Sequence, residues 1–301
     1  MMSTMLILLT ALAGDVVAVS EGPPPVPPAI RAMIDAALAA GNDGEIATIV
    51  KYARVADPAS ADQVLAAATR WREDRDARRR EVLGRASFLA LWTGRAEVGG
   101  FLTTGNSDTK GFTGVVRLTR EGLRWRHKFA GRIDYQESLG ILARERYLAS
   151  YEPNYKIHDR AYIYGAAQYE SDRFLGYSDR VSASLGAGYN AIKSPAVKLD
   201  VELGPAYRHT AFTDDTIESN IAARGSLDFA WRLSPGLSLS QGASAYVQQD
   251  NSTVSGTTAL NAKLLGPLSA QLSYSVQYES MPPAGSVSTD TTGRASLVYS
   301  F

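Results

Sequence analysis

Apolar and polar residues alternate with period two in run after run from about residue 92 to the end of the chain. That period sends successive side chains to opposite faces of an extended backbone, so each run reads as a strand with one apolar and one polar face. In one run Leu123, Trp125, His127, Phe129, Gly131, Ile133 and Tyr135 oppose Arg124, Arg126, Lys128, Ala130, Arg132 and Asp134. In another Val197, Leu199, Val201, Leu203, Pro205 and Tyr207 oppose Lys198, Asp200, Glu202, Gly204, Ala206 and Arg208. The pattern returns over 217–233 and 268–279. It returns again at the terminus, where Gly293, Ala295, Leu297, Tyr299 and Phe301 alternate with Arg294, Ser296 and Ser300.

The runs are roughly 9–15 residues long, enough to cross a bilayer at a tilt, whereas strands of soluble sheets average about 5–6. Turn signals divide the region near 93–104, 109–120, 123–136, 143–157, 160–171, 179–192, 196–208, 216–233, 237–249, 254–265, 268–280 and 289–301. These segments predict an all-β fold, an antiparallel transmembrane β-barrel of about twelve strands over 92–301. A soluble β-sandwich is the rival, and strand length and outward apolarity count against it. Glu121-Gly122, His158-Asp159, Ser194-Pro195, Ser234-Pro235-Gly236 and Gly266-Pro267 mark tight turns. Ser138 to Leu142, Asp172 to Ser178, His209 to Asp215 and Met281 to Ser288 mark longer connections at the opposite end. Short periplasmic turns and longer outer loops are the expected asymmetry. Pro153 and Pro205 fall inside strands and predict irregular pairing, since proline gives no ladder donor. Gln241 interrupts an outward face.

The N-terminal part follows other rules. Met5 to Ala13 is apolar and Ala11-Leu12-Ala13 offers a cleavage site, so 1–13 reads as a signal peptide, although no Lys or Arg precedes it. Residues 14–28 form a proline-rich linker. Over 29–91 the pattern is helical. Ala29–Ala40 ends at Gly41, a C-cap candidate. Glu45–Val55 places Ile46, Ile49, Val50 and Ala53 on one face, and Ser60 or Asp62 caps a third helix. The arginine-rich stretch 70–85 reads either as a solvated face or as a contact for peptidoglycan, anionic lipid or a periplasmic partner.

Composition narrows the chemistry. The formal net charge is zero and the pI about 6.9, so no global charge argues for nucleic acid. There is no cysteine, which removes disulfides, thiolate metal sites and cysteine nucleophiles. No metal or cofactor site is expected. His127 is predicted to face lipid or lie near a rim, His158 to lie in a short turn, and His209 to start a loop at the other end. No serine is expected to find a histidine partner on an adjacent strand. The chain therefore reads as a non-enzyme, with an outer-membrane hydrolase as the alternative.

The inward face carries the candidate site: Arg124, Arg126, Arg132, Asp134, Arg144, Arg146, Glu152, Tyr162, Tyr164, Glu170, Arg180, Glu202, Arg208 and Arg224. Charges in a narrow lumen are costly unless paired. Two readings stand. One is a barrel plugged by its own ladder of paired side chains. The other is a narrow passage lined mainly by arginine and favouring anions.

A set of short motifs also carries a family resemblance. Thr103-Thr104-Gly105-Asn106-Ser107-Asp108-Thr109 joins the first two strands. Tyr169-Glu170-Ser171-Asp172-Arg173-Phe174, Gly176-Tyr177 and Leu185-Gly186-Ala187-Gly188-Tyr189 span the fifth and sixth. Glu202-Leu203-Gly204-Pro205 and Tyr207-Arg208 lie on the seventh, and Tyr299-Ser300-Phe301 ends the chain. Over about 95–301 the chain resembles the family of salt-induced outer-membrane proteins, a domain of unknown function. The resemblance implies an outer-membrane barrel of undefined activity, in contact with outer-membrane lipid. The role it suggests is a passive pore or an envelope-integrity protein under salt or osmotic stress. It brings no catalytic residue. Its terminal strand, with Gly293, Leu297, Tyr299 and Phe301, resembles the signal read by the barrel-assembly machinery.

Overall fold

The computed structural model describes residues 25–103, 109–249, 251–282 and 287–301. The expected signal peptide, most of the linker, the Gly105–Asp108 turn and part of the Met281–Ser288 connection lie outside them. The chain divides into two compact units, at Val82 and Leu83.

The first unit holds α1 (Pro28–Ala40), α2 (Asp43–Ala56) and α3 (Ala61–Arg85). Ile34, Ala37, Ile46, Ala53, Val64 and Ala68 form its small buried core. Gly41 closes α1 in the left-handed region at φ 73°, its N–H donating to the Ala37 carbonyl. Asn42 caps α2 by accepting from the Gly44 N–H at 3.0 Å, a cap the sequence reading did not single out. Ser60 stands immediately before α3 and gives its hydroxyl to Asp57 at 2.5 Å. Part of the arginine-rich stretch is committed within this unit. Arg75 donates to Asp43 at 2.7 Å, Arg72 donates to it at 3.5 Å, and Arg75 stacks on Trp71 at 4.6 Å. These arginines, Arg75 foremost, hold the Asp43 carboxyl below its ordinary value.

The second unit is a closed antiparallel barrel. Its twelve strands are β1 (Trp92–Thr103), β2 (Thr109–Glu121), β3 (Trp125–Ser138), β4 (Ile141–Lys156), β5 (Ala161–Asp172), β6 (Tyr177–Lys193), β7 (Val197–Phe212), β8 (Ile217–Ser234), β9 (Leu237–Val247), β10 (Thr253–Leu265), β11 (Leu268–Glu279) and β12 (Thr289–Ser300). Each strand pairs with its sequence neighbours, and β12 closes on β1. The alternation works as read. Leu203, Ile221, Leu272 and Leu297 are exposed on the outside, while Glu202, Ala222, Gln271 and Ser296 are buried inside.

One connection is shorter than expected. Leu139 and Gly140, both at positive φ (51° and 79°), turn β3 into β4 in two residues where a longer loop was predicted. Likewise β7 runs on to Phe212, so His209 lies in a strand and not in a loop.

Both prolines interrupt pairing without shifting register. The β4–β5 ladder skips from Tyr151↔Ala167 to Asn154↔Tyr164 around Pro153. The β6–β7 ladder skips from Ser184↔Ala206 to Ala187↔Leu203 around Pro205. Gln241, the polar residue on an outward face, accepts a hydrogen bond from Thr258 of the neighbouring strand.

Phe301 completes the ring. It exchanges backbone hydrogen bonds with Gly94, N–H to O at 2.9 Å and 2.7 Å. A Cβ on Gly94 would stand 2.7 Å from the Phe301 ring, so this close approach needs a glycine.

Candidate functional site

The interior of the barrel is held by side chains that reach past their neighbouring strands. Tyr162 and Tyr164 on β5 face Gly188 and Gly186 on β6. Cβ atoms on those glycines would come within 2.2 Å and 2.7 Å of the two rings. Gly204 approaches the Leu185 carbonyl so closely that its own Cβ would lie 2.2 Å from it. These glycines let the wall accept two tyrosine rings lying against it.

Glu202 is the hub of one cluster. It accepts from Tyr162 Oη at 3.0 Å, Arg224 Nη1 at 3.0 Å and Ser226 Oγ at 2.7 Å, and Lys128 Nζ lies 3.5 Å away. Lys128 also pairs with Glu152 at 2.8 Å, and Arg224 donates to Glu152 at 3.3 Å. Arg126 stacks on Tyr162 at 4.7 Å while donating to Asn154 at 2.7 Å and pairing with Asp200 at 3.5 Å. Strands β3, β4, β5, β7 and β8 are thereby tied together across the interior.

A second cluster lies at the other end. Arg180 on β6 spans the lumen to Glu279 on β11 at 3.2 Å and packs on Tyr177 at 3.7 Å. Glu279 also accepts from Thr253, which accepts from Arg208 at 2.8 Å. Arg146 pairs with Glu170. In a third cluster Asp134 takes Arg132 at 2.6 Å and Arg294 at 2.9 Å.

Thirteen of the fourteen expected residues lie on the inner face of the barrel strands. Arg124 does not. It sits exposed in the turn before β3 and donates to Tyr155 Oη at 3.4 Å, at the rim. Nor do the expected arginines form an unopposed wall, because Arg126, Arg132 and Arg146 each have a carboxylate. Arg144 differs. It donates to Thr292 Oγ1 at 3.2 Å and makes no ion pair among the described residues. Lys128 and Asp200 were read on the inward face, whereas Asn154, Tyr177, Thr253 and Glu279 were not among the expected lumen residues. Inward parity gives these partners no distinction, since which strands meet across a barrel depends on its stagger.

The opposite wall is small and hydroxylic. Ser244, Ser255, Thr257 and Ser275 face the interior on β9, β10 and β11. Two adjoining cavities run along it, of about 160 Å³ against Arg132, Arg144 and Arg146, and about 270 Å³ against Arg117, Arg224 and Asp228. These two cavities lie between arginines and hydroxyl groups.

Outside the lumen, Arg120 points outward at the rim, where a bare guanidinium would meet lipid. Its nitrogens instead donate to the carbonyls of Ser87 at 3.0 Å and Ala90 at 3.2 Å, with Phe88 over it at 5.4 Å. Phe88 also meets the edges of Trp92 and His127. Residues 86–91, expected to belong with the helices, thus pack on the barrel. At the other end His209 Nδ1 lies 2.8 Å from Ser219 Oγ on β8, so a serine does have a histidine partner on an adjacent strand, contrary to the expectation.

A closed antiparallel barrel, apolar outside and ionic inside, defines a transmembrane β-barrel. Residues 96–301 match the family described as "Protein of unknown function, DUF481", and the chain belongs to that family. The uncharacterized protein YdiY of Escherichia coli (strain K12) is 26% identical over 216 residues, covering 71% of this chain and 85% of that one. Among solved structures, an outer membrane channel from Pseudomonas putida F1 is 11% identical, with a TM-score of 0.45 over 72% of this chain and 97% of that one. The translocator domain of the autotransporter NalP from Neisseria meningitidis is 14% identical, with a TM-score of 0.42 over 76% and 96%.

Proposed function

We propose that the barrel spans the bacterial outer membrane, with the helical region in the periplasm, and conducts small anions through a narrow off-axis passage. The observation that carries this reading is the pair of adjoining cavities between the arginine side and the hydroxyl side of the lumen. Glu202 and its partners fill the other side, so the barrel is half plug and half passage. A low-dielectric wall amplifies the field of an arginine with no close carboxylate, and Arg144 makes no ion pair among the described residues, with Asp290 the acid that lines the same cavity. The salt-induced character implied by the family resemblance fits a conduit for small ions under osmotic stress. Planar-bilayer recording tests the proposal. Anion-preferring current is expected, and Arg144→Gln should lower that preference nearly as much as Arg126→Gln and Arg144→Gln together. Correctly folded protein that passes no current would leave only the plug.

A second reading has one observation behind it, the His209–Ser219 contact at 2.8 Å. On that reading the protein is an outer-membrane hydrolase with Ser219 as nucleophile and His209 as base. Labelling by a fluorophosphonate, lost in Ser219→Ala, would support it. Absence of labelling would reject it.

A further inference from the structure

Near the start of β12 stands an acid without a partner. Asp290 lines the lumen, half-buried, and makes no hydrogen bond or ion pair among the described residues. Arg144 on β4 is its cationic counterpart. It is half-buried too, donates to Thr292 Oγ1 at 3.2 Å, and pairs with no carboxylate among the described residues. Both residues line the cavity of about 160 Å³. The other two arginines of that lining are committed, Arg132 to Asp134 at 2.6 Å and Arg146 to Glu170 and, at 3.9 Å, to Asp172. Of the charges lining the cavity, one of each sign is left over.

These two do not satisfy each other. Thr292 anchors the guanidinium one inward step from Asp290, and successive inward positions of a strand lie about 7 Å apart. That exceeds the reach of an ion pair. It suits two charge-assisted hydrogen bonds of about 2.8 Å with a small doubly charged molecule between them. Half-buried charges are partly stripped of water and gain from a partner. An anion alone would meet Asp290, and a cation alone would meet the guanidinium groups. A molecule that carries both charges meets neither penalty. The rest of the lining is neutral and hydrogen-bonding. Thr257 and Ser275 share a hydrogen bond at 2.9 Å, and Gln277 is the register partner of Asp290. A space of about 160 Å³ holds roughly five waters at about 30 Å³ each, the bulk of a small amino acid and far less than a peptide.

We propose that this cavity is a binding site for a small zwitterion, an α-amino acid with a short side chain or a molecule of like charge spacing. Its carboxylate would accept from Arg144 beside Thr292, and its ammonium would donate to Asp290. The inference deepens the passage proposed above by naming an occupant of its first cavity. It rests on that cavity being open to solvent and not on ion flow, since a zwitterion carries no net current.

The full chain, folded in non-ionic detergent micelles, is titrated with L-alanine, propionate and ethylamine. These probes are similar in size and carry both charges, the carboxylate alone and the ammonium alone. Binding is read by NMR saturation transfer from the protein to the probe methyl group. Alanine should bind about tenfold tighter than either, the worth of one charge-assisted hydrogen bond. Asp290→Asn should bring propionate level with alanine, and Arg144→Gln should do the same for ethylamine. Damage to packing alone would weaken all three together and leave their order unchanged, and that result would overturn the assignment of the two residues. Should a variant lack the folded band on unheated gels, the ranking of the probes on the unaltered protein decides alone. Equal saturation by the three, or none, overturns the site. Alanine binding without current in a planar bilayer would remove the conduction reading and keep the site. Anion current without alanine binding would do the reverse.

Discussion

The ring of Tyr162 occupies the space that a side chain at Gly188 would need, since a Cβ there would stand 2.2 Å from it. The two residues are register partners on β5 and β6. With the ring seated, its hydroxyl meets Glu202 at 3.0 Å. The hub of the plug is therefore positioned by an absent side chain.

Gly188→Ala should unseat that ring and loosen the plug. Overpacking of this kind costs about 1–3 kcal/mol. On gels, the folded band should be lost at a lower temperature than for the unaltered protein. Gly114→Ala, where an added Cβ meets nothing within 4 Å, should leave that temperature unchanged.

Deleting Phe301 removes both backbone hydrogen bonds to Gly94 and uncovers that glycine. Insertion into membranes should fall sharply, and a charged residue at 301 should act similarly. Ser300→Ala should have little effect. Equal insertion of the Phe301 and Ser300 variants, measured by protease protection, would refute a role for the terminus in assembly.

Glu202→Gln leaves Arg224 with Glu152, and Lys128 with Glu152 and the more distant Asp228. Breaking one side of a buried ion cluster costs about 3–5 kcal/mol. The variant should melt earlier, and the anion preference of its current should rise as the plug side loses a negative charge. Unchanged melting would show that Glu202 is not the hub.

In the helical unit, Arg75 and Arg72 lower the Asp43 carboxyl below its unfolded value of 3.8. A depressed carboxyl adds stability that is present above that value and is lost as pH falls through the lower folded one. Asp43 is half exposed, so the gain is small. The helical circular dichroism of the full chain should weaken below about pH 4 in the unaltered protein. Asp43→Asn should start slightly less stable and lose that dependence.

The alternation of residues such as Trp125, Phe129 and Ile133 with Arg126, Arg132 and Asp134 made the strands and their inward faces legible, because period two is a local property. β7 outran its expected end because His209, Thr210 and Ala211 drop the apolar rhythm while the backbone pairing continues. The outward polar pair His209 and Ser219 satisfy each other across β7 and β8. Tyr177 and Glu279 escaped notice for another reason. Their importance lies in Arg180, which reaches both, and that meeting depends on how twelve strands stagger when the sheet closes. Pro153 and Pro205 were readable as faults in a ladder, but only the structure shows that each opens a gap without slipping the register.

The strand that begins the barrel and the strand that ends it are each other's missing neighbour. Until β12 has been made and brought to β1, the chain is an open sheet with two bare edges. Such edges pair readily with any other strand and seed aggregates. Eleven finished strands are thus as hazardous as two, and no intermediate length of this sequence yields a ring. Strand β12 turns an adhesive sheet into a closed object, so a chain lacking Leu297–Ser300 keeps both edges exposed.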